Sequence, residues 1–262
     1  MLVDERREHI LQIIENNGFV SVQQLMETCN ASESTVRRDL EFLDGIGQIR
    51  RTRGGAAFVG ESLTGFEDRS QRASKEKREL AKAAVKLIQA EETLLLDGGT
   101  TTLEVARQLI GRPFQIVTNS LPVANLFVAG ANTDLILVGG YVHPWTGVLV
   151  GPYADQMLAS LYARRAVLST AGITERGCFN SNLLLVETER TMMDAADEVI
   201  VLADSTKFGH QSLAHICELK ALDAVVVDDE ISDRWRAILA DAGVRVHIAQ
   251  AHETIPSKTQ PR

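Results

Sequence analysis

The chain has 262 residues and a formal net charge of −8 at pH 7, from 27 Lys+Arg against 35 Asp+Glu. That length allows one to two domains with a sizeable core, and the acidic balance excludes a nonspecific polybasic coat for nucleic acid while leaving room for a local basic face. Aromatic residues make up 5% of the chain, which argues against a stacking platform for single strands, and the three scattered cysteines, Cys29, Cys178 and Cys217, exclude a disulfide framework. The opening residues MLVDERREHI are charged, and no apolar run approaches the roughly 18 residues of a membrane span. A soluble, cytoplasmic protein is expected, with no membrane among its partners.

Four segments are expected: a helical unit over 1–57, a Gly-, Ser- and charge-rich linker over 58–74, an α/β unit over 75–252, and a polar tail over 253–262. In the first unit, Ile10, Leu11 and Ile14 share one helical face, and Asn17-Gly18 reads as a stop. Ser21 to Gln24 fits a capping box, followed by an apolar stripe of Val22, Leu25, Met26 and Cys29. After the short turn Asn30-Ala31, Ser32 caps a third helix, whose Val36, Leu40 and Leu43 face inward. Its other face presents Ser34, Thr35, Arg37, Arg38 and Glu41. Gln48 to Gly55 then reads as a tight basic hairpin containing Arg50, Arg51 and Arg53.

Two short helices with a tight turn, the second bearing arginines, describe a helix-turn-helix with a wing behind it. Arginine suits phosphates and guanine edges, and hydroxyls suit either. Between residues 37 and 53 five arginines stand against Asp39, Glu41 and Asp44. The same pattern also suits a small helical bundle with a solvated charged face.

From about residue 93 the chain alternates apolar runs with helical stretches. The runs are 93–96, 115–117, 135–138, 166–168, 199–202, 224–227 and 244–248. Near-continuous apolar strands imply burial on both faces, hence a mostly parallel, doubly wound sheet whose ligands bind at the strand carboxyl ends. One such end, Leu96-Asp97-Gly98-Gly99-Thr100-Thr101-Thr102, runs from strand through glycines into a helix. A phosphate would sit well on those amides and hydroxyls, although a glycine-rich βα turn without a ligand has the same composition. Further ends carry Thr118-Asn119-Ser120, Gly139-Gly140, and Asp204-Ser205-Thr206-Lys207. Together they offer a cradle, hydroxyl acceptors and a cation for one small polyhydroxylated anion. The histidines lack metal spacing, so no metal or other cofactor is expected. Glu187, Glu189 and Asp194 read as an exposed helix face, and Cys178 has no paired base in view.

These segments resemble a known pattern. SESTVRRDLEFL followed by RRTRGGA is similar to the winged helix-turn-helix of the DeoR family of bacterial transcriptional regulators, and LLLDGGTTTLEVA, VTNSLPVA, LVGGYV and VLADSTKFG resemble that family's sensor domain. The resemblance spans about residues 3 to 250. It implies a repressor of a carbohydrate-catabolic operon controlled by a phosphorylated sugar, with a sensor fold similar to ribose-5-phosphate isomerase. It assigns DNA contacts to Ser32, Ser34, Thr35, Arg37, Arg38, Arg50, Arg51 and Arg53. Effector contacts fall on Asp97, Gly98, Gly99, Thr100, Thr101 and Thr102, with Asn119, Asp204 and Lys207 as ligand neighbours. The family pattern places an acid shortly before the Glu187-x-x-Arg190 segment; Leu183, Leu184 and Leu185 stand there, implying a ligand held differently or a smaller one. The implied partners are double-stranded operator DNA, the sugar phosphate and further copies of the chain, as a homodimer or homotetramer. The rival reading is an enzyme, a sugar-phosphate isomerase with an appended helical domain, in which Asp97, Glu187, Asp204 and Lys207 move protons.

Overall fold

The computed structural model describes residues 3–17, 19–45, 49–52, 54–58, 66, 70, 74–130 and 132–250. The N-terminal part holds α1 (Val3–Asn17), β1 (Phe19–Ser21), α2 (Val22–Cys29), α3 (Glu33–Gly45), β2 (Ile49–Arg51) and β3 (Gly55–Phe58). Ile10, Ile14, Leu25, Val36 and Leu40, which the helical spacing foretold, meet in its core together with Ile49 of β2. The capping box forms: the Ser21 hydroxyl accepts from Gln24 N at 3.2 Å, and Ser21 N donates to Gln24 Oε1 at 3.0 Å. Asn30 ends α2 in the left-handed region at φ 47°, a conformation asparagine tolerates. The wing strands β2 and β3 pair antiparallel. A third strand, β1, joins them, with Val20 opposite Ala56. Gly55 is required there, because a Cβ would lie 2.2 Å from the Val20 carbonyl oxygen.

The second part is built on seven strands: β4 (Thr93–Leu96), β5 (Phe114–Thr118), β6 (Thr133–Leu137), β9 (Ala163–Ser169), β12 (Ala196–Leu202), β14 (Ala224–Asp228) and β15 (Arg245–Ala249). They lie in the order β15-β14-β12-β9-β4-β5-β6, each pair parallel. Every one overlaps a run picked from its apolar composition. On one face pack α4 (Ser74–Val85), α5 (Thr100–Leu109) and α6 (Leu121–Phe127), around Leu80, Leu94, Leu96, Leu109 and Ile116. On the other pack α7 (Pro152–Ala159), α8 (Leu183–Asp194) and α9 (Asp233–Asp241), around Leu95, Leu158, Val186, Val225 and Leu239. Leu94, Leu95 and Leu96 point alternately to the two cores and all are fully buried, so burial of each stabilises by about 1.5–3 kcal/mol. At the amino ends of the strands the Arg165 guanidinium is held between Glu92 and Glu198, 2.6 Å from the latter.

From β4 the chain steps outward through β5 to β6, then returns to place β9 against the other side of β4. The junction of β4 and β9 is therefore the point where strand order reverses, the place where such sheets open a crevice. Two small sheets, absent from the sequence reading, stand over it. One is the hairpin of β7 (Tyr141–His143) and β8 (Val148–Val150); the other is antiparallel, of β10 (Gly172–Thr174), β11 (Gly177–Asn180) and β13 (Ala214–Cys217).

Candidate functional site

The outward face of α3 is set by its inward one. Ser32 begins the helix: its carbonyl accepts from the Thr35 and Val36 amides at 3.0 Å each, and its hydroxyl meets those of Ser34 and Thr35 at 3.1 and 2.9 Å. Ser32 and Ser34 are exposed and Thr35 is half-buried. Arg37 is exposed and pairs with Glu33 one turn back at 2.8 Å. Arg38 is exposed with no ion pair among the described residues. Asp39, an offsetting charge in the arithmetic of the sequence, is turned the other way and 2% exposed. It accepts from Arg6 Nε at 2.6 Å and Arg7 Nε at 3.1 Å, riveting α3 to α1. The Arg6 guanidinium is pushed up by that bond. The face left to solvent is thus more basic than the sequence count implies. On the wing, Arg51 lies 3.5 Å from Glu41; Arg50 belongs to β2, and Arg53 lies outside the described residues.

At the β4/β9 junction, two neighbouring clefts open. One, of about 460 Å3, is lined by Asp97, Gly98, Gly99, Ser169, Thr170, Asn180, Ser181, Leu185 and Glu189, among others. The second, of about 330 Å3, is lined by Lys77, Thr100, Thr101, Ser169, Thr170, Asp204 and Lys207, with Leu202 and Ala203. The structure therefore brings together, from different strand ends, seven of the residues expected at an effector site: Asp97, Gly98, Gly99, Thr100, Thr101, Asp204 and Lys207. Gly99, the N-cap of α5, supplies no side-chain hydrogen bond to the first amides of the helix. The glycines have a packing reason as well. A Cβ on Gly98 would lie 2.1 Å from Val148 Cγ2, and one on Gly99 would lie 1.8 Å from Ser169 Oγ.

Two expected residues do structural work. The Thr102 hydroxyl, fully buried, makes 2.7 Å contacts to the carbonyls of Asp97 and Gly99 and so shapes the loop. Asn119 donates to the Leu149 carbonyl at 3.1 Å, fixing β8 beside β5 rather than lining either cleft. Its neighbours Thr118 and Ser120 bond the Leu96 carbonyl and cap α6. Asp204 accepts from Thr206 N at 3.1 Å, capping a single turn that presents Lys207.

One expectation is overturned. Glu189 is 3% exposed and lines the first cleft, while Glu187 stays on the surface in a pair with Arg190. The signal was available: Glu189 lies three residues from both Val186 and Met192, which are buried on α8, so it shares their stripe. Glu189 Oε1 accepts from the Asn180 amide, and Oε2 has no hydrogen-bond partner. Burial, then the charge of Asp97, push its carboxyl well above the usual glutamate range. Lys77, on the first turns of α4, is a second lining residue that the sequence reading passed over. Cys178 lies buried opposite Cys217 across β11 and β13. Its bond to Cys217 and its burial push its thiol up, while Cys217 is drawn down by the bond from Cys178. His143 bridges Thr146 at 3.1 Å and the Asn182 side chain at 3.0 Å, tying the β7–β8 hairpin to the start of α8. No helix among the described residues is long and apolar enough to cross a membrane.

The family model for the DeoR-like helix-turn-helix domain matches residues 6–62, and that for the DeoR C terminal sensor domain matches residues 72–229. A protein of Escherichia coli O157:H7 named for repression of the aga operon is 34% identical, over 92% of this chain and 92% of its own. The HTH-type transcriptional regulator GolR of Listeria innocua is 30% identical, over 94% of this chain and 98% of its own. The regulator UlaR of Escherichia coli is 28% identical, over 79% of this chain and 84% of its own. Among solved structures, ribose 5-phosphate isomerase A of Methanocaldococcus jannaschii matches at 18% identity with a TM-score of 0.38, covering 52% of this chain and 54% of that one. Matched along both its DNA-reading and its sensing part, the chain belongs to the DeoR family of transcriptional regulators.

Proposed function

We propose that this chain represses a carbohydrate-catabolic operon in the cytoplasm and is modulated by a phosphorylated sugar bound at the β4/β9 junction. The working division is a DNA-reading unit over 1–57, a linker over 58–74, an effector unit over 75–252 and a tail over 253–262. Ser32, Ser34, Thr35, Arg37 and Arg38 meet double-stranded operator DNA in the major groove, and Arg50, Arg51 and Arg53 meet its backbone from the wing. Thr100, Thr101, the open amides of α5, Lys77 and Lys207 take the phosphate; Asp97, Gly98, Gly99 and Asp204 bound the sugar. The observation that carries this reading is the pair of clefts at the reversal of strand order, lined by an uncapped helix start and two lysines.

The protein works as a homodimer or homotetramer, because two half-sites supply the specificity one recognition helix lacks. Trp145, Leu183 and Leu184 support this: each is at least half exposed, at 52%, 63% and 50%, on segments that the His143–Asn182 bond brings together.

The test is fluorescence anisotropy of the protein's own promoter fragment at low ionic strength, titrated with pentose and hexose phosphates. Specific binding that at least one phosphate shifts is expected, and Asp97→Ala keeps the binding and loses the shift. A protein that ignores the fragment under every condition refutes the reading.

A further inference from the structure

The two clefts differ in charge. The one reaching α8 holds Asp97 and Glu189, with no lysine, arginine or histidine among its described lining residues. The adjoining one holds Lys77 and Lys207 beside Thr100 and Thr101, against Asp204 as the single acid among its described lining residues. Ser169 and Thr170 line both, so an acidic space and a basic space are neighbours at one strand end. In the acidic space Glu189 is 3% exposed, and its Oε2 lacks a hydrogen-bond partner.

A buried polar atom left unpaired is costly, and two carboxylates close together in a poorly solvated space repel. A sugar hydroxyl entering there would supply a donor and leave the repulsion in place. An ammonium group supplies the donor and cancels the charge. The raised carboxyl of Glu189 fits such a site, since burial and the charge of Asp97 both disfavour its ionised form and a bound ammonium would favour it.

We infer that the effector is a zwitterion: a phosphorylated sugar bearing a protonated primary amine, its phosphate between Thr100 and Lys207 and its amine against Asp97 and Glu189. This rests on the sugar-phosphate reading above and narrows it.

Isothermal titration of the full-length protein with glucosamine 6-phosphate, glucose 6-phosphate and N-acetylglucosamine 6-phosphate, and with their galacto counterparts, tests it. One charge-assisted hydrogen bond in a partly desolvated site corresponds to at least roughly tenfold in affinity. The amine should therefore bind about tenfold tighter than both its hydroxyl and its N-acetyl analogues; the latter keeps the nitrogen and loses the charge. In Glu189→Gln the ratio of the amine's affinity to that of its hydroxyl analogue should fall toward unity. Should that variant fold poorly, the wild-type comparison of amine with N-acetyl decides alone. Equal affinities for charged and uncharged analogues overturn the zwitterion and leave the sugar-phosphate reading standing. Failure of every sugar phosphate in the series to bind overturns both.

Discussion

Replacing Asp39 by alanine should loosen the DNA-reading half of the molecule without touching a DNA contact. The Asp39 carboxylate is 2% exposed and receives Arg6 and Arg7 at 2.6 and 3.1 Å. Breaking a buried pair costs about 3–5 kcal/mol when the remaining charge stays buried. Here Arg6 and Arg7 retain 15% and 23% exposure, so water can reach both, and about 2 kcal/mol is the better figure. The loss also removes one tether from Arg7, whose guanidinium carbon sits 3.7 Å from the centre of the Phe42 ring. At about 0.05–0.15 kcal/mol per residue, a unit of some 55 residues has roughly 3–8 kcal/mol in hand. It therefore stays folded, but its opening equilibrium rises about 30-fold, since 1.4 kcal/mol is a factor of ten. Hydrogen exchange with mass spectrometry on the full chain reads this directly. Amides of α1 and α3 should lose about 30-fold protection while β4 and α5 keep theirs. Tryptophan fluorescence will not report it, because Trp145 and Trp235 both lie in the sensor half. Unchanged protection in α1 and α3, or an equal loss in β4, would refute the rivet.

Arg38→Ala should weaken operator binding by about 1–3 kcal/mol if it reads a base, with exchange in α3 unaltered; footprint affinities on matched and scrambled sites check it, and a loss equal on both marks a phosphate contact. Gly55→Ala places a Cβ 2.2 Å from the Val20 carbonyl oxygen, so the wing should shift from β1 and operator affinity fall while effector binding is unchanged. Glu189→Gln should raise the melting temperature of the ligand-free protein near neutral pH. Its carboxyl is raised in the folded state, so as pH climbs past the ordinary glutamate range the unfolded chain ionises first and stability is lost. Below that range both states are protonated and the gain should vanish; calorimetry at pH 4 and pH 7 separates the cases. Thiol labelling of the native protein should modify Cys217 before Cys178 and Cys29, because it alone is partly accessible and its thiol is drawn down; first reaction at either buried thiol would contradict the pairing.

The large sheet was legible because a strand buried on both faces must be apolar at nearly every position, and runs such as 93–96 and 224–227 stand out for that reason. Three-residue strands that pair outside the large sheet leave no such trace: β1, β7, β8 and β10 are too short for a period to emerge. Polar residues at strand ends misled in both directions. Thr102, Thr118 and Ser120 look like ligand donors in sequence, yet each bonds backbone groups that the turn itself exposes. Glu189 looked like surface because its neighbours Glu187 and Arg190 are surface, whereas helical geometry makes residues three apart neighbours and adjacent ones not. The Arg6–Asp39 contact crosses 33 positions, and no local pattern encodes a pairing at that distance. The charge count over residues 37–53 therefore set Asp39 against the arginines, although its carboxylate is engaged by Arg6 and Arg7 of α1.

Lys77 gives the proposed regulation a physical route. It lies one turn before Leu80 on α4, and Leu80, Ala81 and Ala84 are embedded in the core beneath the sheet. The helix body is thus fixed, while its first turn reaches the basic cleft on one side and continues into the 58–74 segment on the other. A phosphate held as proposed by Thr100, Lys207 and Lys77 would restrain that first turn and hence where the preceding chain emerges. Regulation needs only a differential free energy between two arrangements of the DNA-reading units, typically about 1–3 kcal/mol. One charge-assisted hydrogen bond to a buried lysine is of that size, roughly 1.5–3 kcal/mol. In the proposed reading the contact that would report the effector to the linker is therefore a single side chain, and the rest of the cleft would serve to choose which molecule makes it.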